Sequence, residues 1–221
     1  MTPTLYYCYD AYCGWCFGFS PVIRGIAEEF RGRIHTETLS GGMIPASEKY
    51  PIGNIAHYIQ GAYKNVEGLT GIRFGEDFLW HINHPELSDW ILDSEVPARA
   101  MCAFKDWHPD DTIAFAADLQ HALHVEGRDL TDDEAYRHLL GKWEIPAEEF
   151  YAKLHDPAYA EKAHYEFNLC RQLRVTGFPA VLLQVGELKF YLLSSGFTDA
   201  DTLRERLENV LREVASDPQE K

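Results

Sequence analysis

The sequence predicts an α/β protein in two halves: a βαβ unit at the start, a ββα unit at the end, and a long helical insert between them. Three observations carry this. An apolar run near the N-terminus gives way to helix-spaced apolar residues and then to an alternating segment. The middle of the chain keeps helical spacing with no strand pattern standing out. Two further apolar runs and an amphipathic stretch close the chain.

The elements follow in order. Leu5-Tyr6-Tyr7-Cys8-Tyr9 has the unbroken apolar and aromatic character of a buried parallel strand. Phe17, Val22, Ile23, Ile26, Ala27 and Phe30 recur at helical spacing, Gly32 marks the stop, and Pro21 inside the pattern predicts a kink. Residues 34–39 alternate as a strand ended by Gly41-Gly42. Helices are predicted over 54–66, 95–107, 109–125, 131–142, 146–154 and 158–173, with glycine-rich loops near 67–90. Residues 180–185 and 188–193 read as two strands joined at Gly186-Glu187, a pair suited to a type II′ turn. Thr198 or Asp199 caps a last helix with Leu203, Leu207, Val210, Leu211 and Val214 on one face, and 217–221 reads as a frayed tail. The expected division is 1–45 with 175–221 as one domain and 46–174 as an inserted all-helical subdomain.

The chemistry concentrates at Cys13-Gly14-Trp15-Cys16, placed where the first strand passes into the first helix. Cysteines two residues apart at a helix N-terminus can close a small disulfide ring. The unpaired N–H groups and positive dipole end of the helix favour a thiolate on the first sulfur. Thiolates drive thiol–disulfide exchange, so the spacing points to redox work. Half of a zinc site is the competing reading. It needs a second cysteine pair or paired histidines, whereas Cys8, Cys102 and Cys170 are scattered singly and sit at apolar positions. His81/His84 and His121/His124 have ligand-like spacing without an acidic or cysteine partner, and read as solvated surface residues. No metal is expected.

Composition narrows the partners. The 221 residues carry a formal charge of −15, which argues against nucleic acid and anionic membrane, and the 46% hydrophobic fraction supports a real core. No stretch approaches the roughly 20 apolar residues needed to span a bilayer. The first residues lack the basic and apolar pattern of an export leader, the first basic residue being Arg24, so the expected location is cytoplasmic. An odd count of five cysteines also fits poorly with a structural disulfide framework.

Three segments together carry a family resemblance: Tyr12-Cys13-Gly14-Trp15-Cys16-Phe17-Gly18, Ser94-Glu95-Val96-Pro97-Ala98-Arg99-Ala100 and Val175-Thr176-Gly177-Phe178-Pro179-Ala180. With the βαβ, helical insert and ββα order, they resemble the DsbA family of thioredoxin-fold oxidoreductases along nearly the whole chain. The resemblance implies that Cys13 is the exposed nucleophile and Cys16 the buried resolving thiol. It implies a cis Pro179 facing them as the third catalytic-site residue. Gly14, Trp15, Gly177 and Phe178 would then border the substrate. Strong oxidants of the family carry histidine inside the C-x-x-C; Trp15 offers no such charge, which implies a more reducing couple. Phe178 stands where smaller residues are frequent, either forming an apolar platform with Trp15 or packing under the loop.

The expected function is therefore a thiol–disulfide oxidoreductase without a prosthetic group, acting on protein or small-molecule thiols and disulfides, as a monomer or homodimer. Glutathione is the expected alternative thiol partner. Kappa-class glutathione transferases and 2-hydroxychromene-2-carboxylate isomerases are similar in fold, but usually carry serine at the catalytic position. A non-catalytic binding groove is a third reading, separated from the others by loss of both cysteines.

Overall fold

The computed structural model describes residues 2–216; the tail expected over 217–221 lies outside them. Its frame is a four-stranded sheet in the order β2-β1-β5-β6. Strand β1 (Thr4–Tyr9) runs parallel to β2 (His35–Ser40) and antiparallel to β5 (Ala180–Gln184), and β6 (Phe190–Ser195) pairs antiparallel with β5. The first two and the last two strands thus share one sheet, as their order predicts.

Alternation along β1 sends neighbouring side chains to opposite faces. Leu5, Tyr7 and Tyr9 join the main core with Phe19 and Ile23 of α1 (Gly14–Glu29) and Leu203 and Leu207 of α9 (Ala200–Ser216). Cys8 faces the other way, into a smaller cluster with Leu39, Ala180, Leu182 and Cys170 of α8 (Pro157–Gln172). Burying side chains such as Phe19 and Ile23, which are fully covered, stabilises the α1 side by about 1.5–3 kcal/mol each.

Helix α1 runs unbroken through Pro21. The ring is exposed, while Phe17, Phe19 and Ile23 anchor the helix to the core. The helix ends at Phe30, and Gly32 takes the left-handed backbone (φ 80°) anticipated for a stop. Asp199 is the residue that caps α9, its carboxylate accepting from the Thr202 amide at 2.9 Å.

The insert departs from expectation in two places. It is not purely helical: β3 (Tyr50–Pro51) and β4 (Ile91–Leu92) form a short antiparallel ribbon. Two residues per strand are too few to produce a period-2 pattern. The stretch read as loop also holds a helix, α3 (Glu76–Asn83), which buries Phe78 and Ile82; the glycines around it masked a single apolar turn. The remaining insert helices are α2 (Gly53–Thr70), α4 (Glu95–Phe104), α5 (Thr112–His124), α6 (Arg137–Lys142) and α7 (Ala147–His155), followed by α8. The terminal hairpin is also corrected. Its strands part after Gln184↔Phe190, and the Val185 amide bonds the Lys189 carbonyl at 3.0 Å. The connection is thus a longer loop, and not a two-residue turn at Gly186-Glu187.

Candidate active site

Strand β1 ends at Tyr9, and the chain must turn sharply to enter α1. The Asp10 carbonyl accepts from the Cys13 amide at 3.1 Å, closing that turn. Cys13 becomes the N-cap of α1, and its sulfur accepts from the Cys16 amide at 3.2 Å. A sulfur in this place takes the role usually played by a capping oxygen. The N–H and the helix dipole both favour negative charge upon it. Both thiols are free. Cys13 is 7% exposed and Cys16 0%, so the expected nucleophile offers only a small window to solvent and the expected resolving thiol offers none. Burial, with the neighbouring Cys13 sulfur, holds the Cys16 thiol well above its ordinary pKa.

The second wall comes from the loop before β5. The Phe178–Pro179 peptide is cis, and the Cys13 thiol donates to the Phe178 carbonyl at 3.5 Å. Gly177 is exposed with open space where a side chain would begin, whereas Pro179 is buried. The Phe178 ring does not stack with Trp15. It lies on Gly41, where a Cβ would sit 2.0 Å from its tip, so any side chain at that position would push the ring aside. Trp15 is half-buried and leans on Phe197 at 6.4 Å between ring centres. The two aromatics flank the cysteines from separate supports, and Gly14 contacts the ring of Phe74.

These positions coincide with a family match. Residues 4–208 match the model of the DSBA-like thioredoxin domain. The chain belongs to the DsbA-like family. That family is one of thiol–disulfide oxidoreductases, which makes this chain an oxidoreductase. Its fold is similar to that of the cytosolic disulfide reductase DsbM from Pseudomonas aeruginosa, with 29% identity and a TM-score of 0.75. The likeness covers 95% of this chain and 99% of that one; a second DsbM structure, with GSH, gives a TM-score of 0.72. A candidate protein disulfide isomerase from Nitrosomonas europaea shares the fold at 24% identity, covering 96% and 99% of the two chains, with a TM-score of 0.82. A 2-hydroxychromene-2-carboxylate isomerase shares it at 12% identity, 96% coverage of both and a TM-score of 0.61. Curated proteins give no match.

Two side chains around this DsbA-like site, Asp10 and Tyr7, are not among those expected there from the sequence, and a third, His124, reads there as a surface residue. Asp10 is buried, and its carboxylate accepts from the Tyr12 amide (3.0 Å), the Ser94 hydroxyl (3.0 Å) and the Met43 amide (2.8 Å). Burial raises its pKa against the lowering effect of those amides. It knots the turn into α1, the loop after β2 and the start of α4 together. A charge three residues before a C-x-x-C, inside an otherwise apolar run, was the available signal. Tyr7 lies under α1, and its hydroxyl has no hydrogen-bond partner.

His124 corrects the surface reading of the histidine pairs. It is 2% exposed and packs against Phe17 (5.1 Å), Phe74 (5.4 Å) and Phe78 (4.9 Å). Burial drops its pKa to about 3, so it is neutral there. Its place on the same helical stripe as Ala116 and Gln120 would have shown this. His121 is exposed and bonds Glu126, while His81 bonds Ser88 and stacks on Trp90. Among the described residues no cluster of three or more His, Cys, Asp or Glu could hold a metal ion.

Proposed function

We propose that this chain reduces disulfides in the cytoplasm, with Cys13 as nucleophile and Cys16 as resolving thiol. The observation that carries the reading is the N-cap geometry: one sulfur at a helix N-terminus with an amide 3.2 Å away, the other fully buried one turn on. In the reducing direction the Cys13 thiolate attacks a substrate disulfide. One substrate sulfur leaves as thiolate, and the other stays bound to Cys13. The Cys16 thiolate then attacks the Cys13 sulfur, closing the internal disulfide and releasing the second substrate thiol. Two electrons pass from the dithiol to the substrate, and two molecules of a thiol such as glutathione restore the pair by two successive exchanges, leaving as their own disulfide.

The direction is supported by the absence of a charged residue between the cysteines, and both direction and location by the likeness to a cytosolic disulfide reductase. The DsbM structure with GSH supports glutathione as thiol partner. No helix of the described residues is long and apolar enough to cross a membrane. Pro179 keeps the substrate-side wall beside the sulfurs, and the open backbone at Gly177 offers an extended peptide a strand to pair with. Gly14, Trp15 and Phe178 complete the substrate border. Residues 1–45 with 175–221 act as the redox domain, 46–174 as its largely helical insert, and the protein works as a monomer or homodimer. The isomerase alternative shares the fold but leaves the free second thiol without a task.

Cys16→Ser is the deciding variant. It should accumulate mixed disulfides on Cys13 that a reductant releases, whereas Cys13→Ser should trap nothing. Insulin reduction by Cys16→Ser at the parent rate would overturn the dithiol mechanism in favour of a monothiol, glutathione-assisted one.

A further inference from the structure

Tyr7 is 1% exposed, yet its hydroxyl makes no hydrogen bond. An unpaired buried hydroxyl costs about 1–3 kcal/mol, so its retention beneath the dithiol calls for a physical account. Strand alternation puts Tyr7 on the face of β1 that α1 covers, in the same packed cluster as Cys13 and Cys16. Its ring is held there by Tyr9 (5.5 Å) and Phe19 (6.1 Å). The phenol thus cannot swing to solvent, and among its neighbours the Cys16 sulfur acts on it most strongly, then that of Cys13.

Cys16 has a matching deficit. Its attack on the mixed disulfide needs a thiolate, and burial makes that thiolate costly. Around it the Cys13 sulfur and the Asp10 carboxylate penalise a negative charge, the Asp10 backbone favours one, and the phenols of Tyr7 and Tyr9 stand close. A phenol kept fully protonated, as burial and the adjacent sulfurs keep Tyr7, can donate to a sulfur anion but cannot take its proton.

We propose that Tyr7 donates a hydrogen bond to the Cys16 thiolate and so accelerates the resolving step. The inference rests on the dithiol reading above. In that step the Cys16 lone pair forms the S–S bond to Cys13, and the proton that Cys16 gives up ends on the departing substrate sulfur. The bond from Cys13 to the substrate sulfur breaks with its electron pair on the substrate, while Tyr7 keeps its own proton throughout. The orphan hydroxyl of the dithiol state is thus a donor waiting for a charge that exists only during exchange. Groups arranged for a transient charge cost nothing to reorganise when it forms.

The test is stopped-flow resolution of a preformed mixed disulfide on Cys13, made with a chromophoric aromatic thiol, in the parent and in Tyr7→Phe. A hydrogen bond to a charged group is worth enough to slow release of the aromatic thiol about tenfold at pH 7. The pH midpoint of that step should rise by about one unit. The rate at which reduced Cys13 forms the mixed disulfide should stay within about twofold. Tyr12→Phe is the control, since it also removes an unpaired buried hydroxyl, one whose surroundings are Asp93 and Asp129 as well as Asp10. A structural role alone predicts Tyr7→Phe to be neutral or stabilising with an unshifted midpoint, and that result would overturn the proposal. Equal slowing by Tyr12→Phe would also overturn it. Failure of the dithiol mechanism shows separately, as absence of trapping in Cys16→Ser.

Discussion

The two faces of β1 carry sulfur under opposite conditions. On the α1 side, Cys13 and Cys16 sit at a helix N-terminus with one buried acid, Asp10, near them and no ion pair, and with a neutral His124 in an aromatic cage. On the α8 side, Cys8, Cys102 and Cys170 are buried around an ion pair, Lys105 to Glu166 at 2.7 Å, with Glu37 also on the lysine. There the Cys102 thiol donates to Glu166 (3.5 Å) and the Cys170 thiol to the Ser40 carbonyl (3.7 Å). The Cys170 thiol beside Cys8 and its burial push the Cys8 pKa up, and burial does the same to Cys102. Thiol number does not make a redox centre. A sulfur gains nucleophilicity where amides face it and loses it where carboxylates and carbonyls do.

The largest effect should separate the faces outright. Cys13→Ser should lower insulin reduction by about a thousandfold or more, while Cys8→Ala and Cys102→Ala stay within about twofold of the parent. Brief iodoacetamide labelling with peptide mapping should mark Cys13 first. Faster labelling of Cys102 or Cys8 would erase the distinction.

Next comes the ion pair. On the α8 side burial opposes the Lys105 charge, but Glu166 and Glu37 outweigh it and hold the ammonium above its ordinary pKa. Glu166→Ala strips Lys105 of its buried partner and should cost about 3–5 kcal/mol in urea unfolding. The rate per folded molecule should not change. A loss below about 1 kcal/mol would mean that the pair contributes little beyond its own desolvation.

The α1 side should respond to acid instead. His124 in the folded state titrates at about 3, against 6.5 as its ordinary value. Between those values the unfolded chain binds a proton that the folded chain refuses, so stability is present above pH 6.5 and lost as pH falls towards 3. At pH 4.5 the loss from this group is about 2–3 kcal/mol. His124→Phe should remove that part of the slope between pH 7 and 4.5; an unchanged slope would place the acid sensitivity elsewhere. The smallest effect is Cys170→Ala, expected to cost about 1 kcal/mol for the lost thiol contact and to leave disulfide turnover within about twofold.

The elements legible in the sequence were those with several turns or residues of one period. Strand β1, helix α1, the β5–β6 pair and α9 declare themselves because each repeats its apolar spacing. The ribbon β3–β4 and helix α3 do not, being two residues per strand and two turns. The same division holds at the site. Cys13, Cys16 and Pro179 are local signals, a spacing and a proline at a strand start. Asp10, Tyr7 and His124 acquire their character only from partners far along the chain, such as Ser94 for Asp10 and Phe17 for His124. No window of neighbouring residues contains that information.

The knot at Asp10 bears on how this protein can trade parts. Its carboxylate serves the turn into α1 on one side and Ser94 of the insert on the other, and Ser94 in turn accepts from the Ile44 amide at 3.0 Å. Grafting the Cys13–Cys16 segment onto a bare βαβββα scaffold would carry over a buried acid without its hydroxyl donor. Deleting the insert would do the same from the other direction. Helix α1 and the insert are therefore one exchangeable unit, and recombination keeps the turn intact only when Asp10 and Ser94 travel together.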